Sequence, residues 1–289
     1  MEILKDVAVL VLAGPFIKVV VVYKPIDKCM SIAEKAAREF KQRGIEVFTL
    51  TVDDISTPRG TFFSGLEDAD LVVSIGGDGT FMRSAKAFSR VSLILPYPCG
   101  RRNVYYEHEL PEIGDVVESA LSGSFYLEFL PMPSACHDQK CASFLNDLVV
   151  VSTDLGKVSK YTVEITSPLI RTTLTFEGDG VIVSTAGGSG GHNLSARGPL
   201  ITPLLEALTV TPINPLQVGV TSMVIPAFAN VSIKVRNRAY AYLDGDLFSV
   251  LERDDSVDLP GNLGYVKVIR LKPFRDLMRA VFESRRHIF

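Results

Sequence analysis

An aspartate set among glycines and followed by a hydroxyl, Gly76-Gly77-Asp78-Gly79-Thr80, is the stretch of this chain best suited to chemistry. Glycines let the backbone take positive φ and come close to a bound group. Free N–H groups at the start of a helix favour an anion, typically a phosphate. A carboxylate in such a turn repels phosphate unless Mg²⁺ or a reacting hydroxyl stands between them. The chemistry indicated is phosphoryl transfer, with Asp78 accepting or orienting a hydroxyl proton. The plainer alternative is a tight turn in which Asp78 caps the helix.

Two further clusters carry polar groups in unusual company. Phe144-Leu145-Asn146-Asp147-Leu148-Val149-Val150 puts an amide and a carboxylate inside an apolar strand. Buried polar groups need partners, and either a ribose hydroxyl or base edge, or a simple turn or bulge, supplies them. The run Gly178–Pro199 has four glycines within five residues around Ser189, which implies close backbone approach or a sharp turn; a flexible linker is the alternative. In it, His192 could titrate near neutrality or stack on a ring, without a catalytic role. Arg197 suits a charge contact with a phosphate. Cys136 and Cys141 flank a four-residue turn, where a disulfide or a metal site is conceivable.

The elements that must position these groups divide the chain in two. Apolar, β-branched runs at 16–23, 45–52, 71–75 and 91–95 alternate with helical patterns at 30–40, 81–88 and 113–121. That grammar predicts an α/β domain over residues 1–124 with a doubly wound, mostly parallel sheet, whose ligands sit beyond the carboxyl ends of the strands. Residues 96–102, with Pro96, Pro98 and Gly100, read as irregular, and Arg101 and Arg102 there are open to a phosphate role. Short strands separated by turns fill 125–266, with helix expected only near Thr202–Leu208, so this part reads as a β-rich domain. The tail, 267–289, turns helical again after Pro273 and is expected to fold back on the first domain.

Composition narrows the function. The chain has 289 residues, 47% of them hydrophobic and 22% charged, with a net charge of −3, which excludes a disordered chain and a generally basic nucleic-acid binder. Four cysteines do not make a disulfide scaffold, so a reducing cytoplasm is expected. The apolar run 7–13 is short for a membrane span and follows Glu2, Lys5 and Asp6, so neither a membrane segment nor a signal peptide is expected. No Gly-x-x-x-x-Gly-Lys-Ser/Thr occurs. The register Gly77-x-Gly79-x-x-Met82 lacks the third glycine of a dinucleotide fingerprint, and no acidic residue occurs from Phe81 through Tyr106.

The order GGDGT, then Asn146-Asp147, then the Gly178–Pro199 run, then Leu243-Asp244-Gly245 resembles the NAD kinase family, over nearly the whole chain. The resemblance implies an ATP-dependent kinase that phosphorylates the 2′-hydroxyl of the adenosine ribose of NAD, with Mg²⁺ accompanying ATP and no resident metal. It also implies a homo-oligomer, dimer or tetramer. Carried over by position, Asp78 is the residue facing the acceptor hydroxyl. Gly76, Gly77, Gly79 and Thr80 form the phosphate-side turn, and Asn146, Asp147 and Ser189 fall on nucleotide contacts; Arg83, His192 and Arg197 join them as candidate binding residues on their own chemistry. The family's Thr-Pro-Thr-Gly-Ser-Thr-Ala-Tyr run departs here at Gly187, Gly190, Gly191 and His192, and Arg197 replaces a glycine. These changes fall on nucleotide contacts more than on phosphoryl transfer. The competing readings are a kinase of the same superfamily acting on a polyol or lipid, and a nucleotide-binding regulator without catalysis.

Overall fold

The computed structural model describes residues 16–56, 66, 68–88, 92–99, 104–107, 109–154, 156–169, 171–203 and 205–273. The apolar run 7–13, Gly100 to Asn103, and the helix expected after Pro273 lie outside them. The chain divides into two compact units, one ending at Phe129 and resuming at Val266, the other Leu130–Tyr265.

The first unit is a five-stranded parallel sheet in the order β2 (Glu46–Thr51), β1 (Lys18–Tyr23), β3 (Leu71–Gly76), β4 (Leu93–Pro98) and β17 (Leu263–Arg270), the last of which carries the chain back from the second unit. Alternation of side chains explains its two layers. Val19, Val21, Leu71, Val73 and Ile75 pack with Cys29, Ala33, Ala36 and Phe40 of α1 (Asp27–Gln42) and with Ile113, Val116 and Val117 of α3 (Ile113–Leu121). Val20, Val22 and Val72 face the other way, with Phe88 of α2 (Asp78–Phe88). Gly44 and Gly123, both at positive φ, end α1 and α3.

The strand expected to stop at Leu95 continues to Pro98. Cys99 N–H reaches Gly76 C=O, so the nitrogens of Pro96 and Pro98, which carry no N–H, face away from β3, and the described β17 pairs lie opposite Leu93 and Ile94. No ladder donor is missed at Pro96 or Pro98.

The second unit is antiparallel throughout. One sheet runs β12 (Met223–Pro226), β11 (Ala207–Ile213), β10 (Gly180–Thr185), β7 (Asp147–Ser152), β14 (Ala239–Leu243) and β15 (Asp246–Leu251). The other contains β5 (Tyr126–His137), β16 (Ser256–Leu259), β13 (Asn230–Val235), β8 (Ser159–Thr166) and β9 (Arg171–Gly178), with β6 (Lys140–Ser143) paired to β5. Between them Tyr161, Val163, Ile165, Val231 and Ile233 meet Leu148, Val150, Val181, Val183 and Val210 in one core. The helix expected near Thr202–Leu208 is absent: strand β11 begins at Ala207, where Thr209, Val210 and Thr211 favour extended backbone.

All four cysteines are paired, and at Cys136 and Cys141 the disulfide is the alternative realised. Cys136 joins Cys141 across the β5–β6 hairpin. Cys29 joins Cys99 because α1 packs beside the end of β4, a contact that 70 residues of separation conceal in the sequence. No helix among the described residues is long and apolar enough to cross a membrane.

Candidate functional site

Gly76 closes β3 and Asp78 opens α2, so the GGDGT turn stands at the carboxyl edge of the parallel sheet. The glycines differ in what requires them. A Cβ on Gly76 would overlap the Thr80 side chain, whereas one on Gly79 would meet nothing within 4 Å. Gly77 C=O accepts from Thr80 N–H (2.8 Å), Phe81 N–H (3.1 Å) and the Tyr106 hydroxyl (3.0 Å). Thr80 is buried, while Arg83 is exposed one turn along α2.

Asp78 is half-buried, and its carboxylate is not a plain helix cap. Oδ2 accepts from Val104 N–H (3.1 Å) and Oδ1 from Tyr105 N–H (3.0 Å), both in a segment 26 to 27 residues away. Backbone donors on both oxygens favour the ionised form. Tyr105 stacks on Phe81 with ring centroids 4.8 Å apart. Behind the turn, Ser84 Oγ donates to Thr80 C=O (2.9 Å) and lies 3.2 Å from Ser74 Oγ, which is 3.5 Å from the Tyr106 hydroxyl. Burial pushes the Tyr106 phenol far above its ordinary range, so it stays protonated and donates. Sequence reasoning missed Tyr105 and Tyr106; the only signal was two adjacent aromatics some 25 residues after the turn.

In the second unit, Asn146 lies on a bend before β7 rather than within a strand. The cause is Asp244, at φ +52 in the β14–β15 turn with Gly245 at φ +88. Its carboxylate accepts from the N–H groups of Leu145 (3.1 Å), Asn146 (2.7 Å) and Asp147 (3.3 Å), replacing strand partners. Asn146 C=O in turn accepts from Thr185 N–H (2.9 Å) and the Ser184 hydroxyl (3.1 Å). A Cβ on Gly188 would overlap the Asn146 backbone, so only glycine allows this approach. Asp147 is buried, and burial followed by the nearby Asp244 carboxylate pushes its own carboxyl up to about 7.

The glycine run is not a linker. It folds into a short turn followed by α4 (His192–Ser195). Ser189 is fully buried: its hydroxyl donates to Ala186 C=O (2.7 Å) and accepts from Ile201 N–H (3.0 Å). Asn193, missed in the sequence, is the hub of this turn. Its amide donates to Ser189 C=O and Pro199 C=O, and its oxygen accepts from the Thr209 and Thr211 hydroxyls. Gly198 packs against that amide, leaving no room for a Cβ. His192 and Arg197 are both exposed, the latter at φ +65. The structure thus gathers Asn146, Asp147 and Ser189 around one strand end, but commits the Ser189 hydroxyl to the fold.

Residues 145–271 match the family model of the ATP-NAD kinase C-terminal domain. The NAD kinase of Geobacter sulfurreducens is 34% identical over 198 residues, covering 65% of this chain and 69% of that one. The NAD kinase of Methanothermobacter thermautotrophicus is 25% identical over 270 residues, covering 90% and 92%. Among solved structures, the Archaeoglobus fulgidus NAD kinase in complex with ATP matches at TM-score 0.73 and 23% identity, over 92% of this chain and 99% of that one. Yeast NADH kinase complexed with NADH matches at TM-score 0.78 and 16% identity, over 96% and 89%. The fold and its relatives define a phosphotransferase acting on a hydroxyl group. The chain belongs to the NAD kinase family.

Proposed function

We propose that this chain transfers the γ-phosphoryl group of ATP to the 2′-hydroxyl of the adenosine ribose of NAD, giving NADP. The observation that carries the reading is the Asp78 carboxylate, held by two backbone N–H groups at the carboxyl edge of a parallel sheet. In this reading Asp78 orients the acceptor hydroxyl and takes its proton late, as the oxygen attacks phosphorus in line. Backbone of Gly76, Gly77, Gly79 and Thr80 lets the phosphate chain approach, with Arg83 as a cation on the same helix. In the antiparallel unit, Asn146 and Asp147 bind the dinucleotide, His192 stacks or donates, and Arg197 meets an anionic oxygen, while Ser189 shapes the turn that carries them.

ATP enters as its Mg²⁺ complex. In this reading the cation is carried mainly by the phosphates. A homo-oligomer, dimer or tetramer, is supported by exposed Val224 and Leu247 on the two edge strands of one sheet. A cytoplasmic location is supported by the substrates, since ATP and NAD are both intracellular pools.

The test is an acceptor screen with ATP and Mg²⁺ over NAD, NADH, inositol, sugars, nucleosides and glycerolipids, read by ADP release and by an NADP-specific dehydrogenase. NADP formation is expected. Release of ADP with another alcohol but not with NAD would retire the acceptor and keep the kinase. NADH belongs in the screen because a structural neighbour is an NADH kinase.

A further inference from the structure

The segment Val104–Glu107 holds Asp78, and a second set of contacts holds that segment. Tyr105 C=O accepts from Arg270 Nη1 (2.8 Å), and the Glu107 carboxylate accepts from the N–H groups of Leu271 (3.0 Å) and Lys272 (2.8 Å). Arg270 is also fixed by Glu128, with Nε 2.6 Å from the carboxylate. Arg270 and Glu107 are each only 3% exposed. Two charges at that depth are costly unless each is paired and hydrogen-bonded, and apolar residues of similar volume would stabilise a fold equally well. What apolar residues cannot do is aim a peptide. Arg270 acts on the carbonyl of Tyr105, whose own N–H lies on Asp78 Oδ1, and the Tyr105 ring is stacked on α2. Glu107 fastens the far end of the same segment to the backbone that follows β17.

We propose that Arg270 and Glu107 are positioning residues for phosphoryl transfer: acting through Val104 and Tyr105, they set the place of the Asp78 carboxylate. The inference rests on the reading of Asp78 given above. It makes the returning strand β17 part of the reaction machinery rather than only an edge of the sheet. A displacement of the carboxylate by a fraction of an ångström weakens the reaction step, not the binding of NAD.

The experiment compares Arg270→Lys and Glu107→Gln, each in the parent and in an Asp78→Asn background. It reads kcat, KM for NAD and the melting temperature, all on the full chain. We expect kcat to fall by about tenfold or more with KM for NAD changed by no more than about twofold. In the Asp78→Asn background neither change should lower kcat further, because both act through the same carboxylate. Losses that multiply with Asp78→Asn, or a lower melting temperature at unchanged kcat, would overturn the proposal. If Arg270→Lys fails to fold, Glu107→Gln decides by the same criteria. Normal turnover in Asp78→Asn alone would remove the reading of Asp78 and the inference with it, whereas an inactive Asp78→Asn beside two normal variants removes the inference only.

Discussion

Around Asp78 and around Ser189 the chain uses the same ingredients, glycines and hydroxyls just beyond a strand end. In the α/β unit they present a side chain: Asp78 is half-buried, the neighbouring Gly79 is exposed, and the supporting donors come from a distant segment. In the antiparallel unit they build a scaffold. Thr185, Gly188, Ser189, Asn193 and Gly198 are all buried, and the Thr185 and Ser189 hydroxyls and the Asn193 amide bind neighbouring backbone and side chains. The positions that depart from the family run, Gly187, Gly190, Gly191, His192 and Arg197, are half-buried or exposed. Ala186, where the run has proline, is the buried exception. Similar ingredients therefore present a carboxylate in one unit and make a packing solution in the other. Divergence from the family run in the second falls mainly on its half-buried and exposed positions.

The comparison can be broken in several places. The cross-links of the two units offer the largest effect on stability. Cys29–Cys99 spans 70 residues and Cys136–Cys141 spans 5, so Ser at Cys29 should cost about 4 kcal/mol and Ser at Cys136 about 2 kcal/mol by loop entropy. Denaturant unfolding of the unreduced protein measures both, and equal losses would contradict the entropic account.

Asp147 is expected to come next. Its folded pKa is raised, so the folded chain keeps a proton that the unfolded chain loses near its ordinary value. That stabilisation is complete below about pH 4 and is lost as pH rises through about 7. Asp147→Asn should gain on the parent by roughly 4 kcal/mol across that window. Unfolding curves at a series of pH values show it, and a difference that does not change with pH would place Asp147 in water.

Asp78→Asn should lower kcat by about a hundredfold with KM for NAD nearly unchanged, and lower the melting temperature modestly, because the amide NH2 cannot accept the second backbone N–H. Near-normal turnover would make the first turn a scaffold too and erase the contrast. Smaller still, Gly188→Ala should destabilise by about 1–3 kcal/mol through overlap with the Asn146 backbone, and Gly79→Ala by far less. Thermal melts of the two variants side by side decide this. Finally, Gly187→Thr with His192→Tyr should lower KM for NAD by roughly thirtyfold, since each restored contact contributes about 1 kcal/mol. No change in KM would show that these surface positions do not face the nucleotide.

Much of the fold was legible because its signals are local. Continuous β-branched runs and four-residue spacing marked β1, β3, α1 and α3. Pro96 and Pro98 misled, because whether a strand tolerates proline depends on which neighbour is missing. The stretch at Thr202–Leu208 misled because a short apolar pattern does not separate helix from strand.

By itself the sequence determined the two-part organisation, the glycine turn with its carboxylate, and the family. Each rests on residue types at short, fixed spacing. Only the tertiary structure decided which polar groups are engaged: Asp244 on the Asn146 bend, Asn193 at the centre of its turn, Tyr105 on Asp78, and Cys29 on Cys99. Hydrogen bonds and disulfides reach only a few ångströms, and these partners lie from 4 to 99 residues apart in sequence, so their pairing is a property of packing.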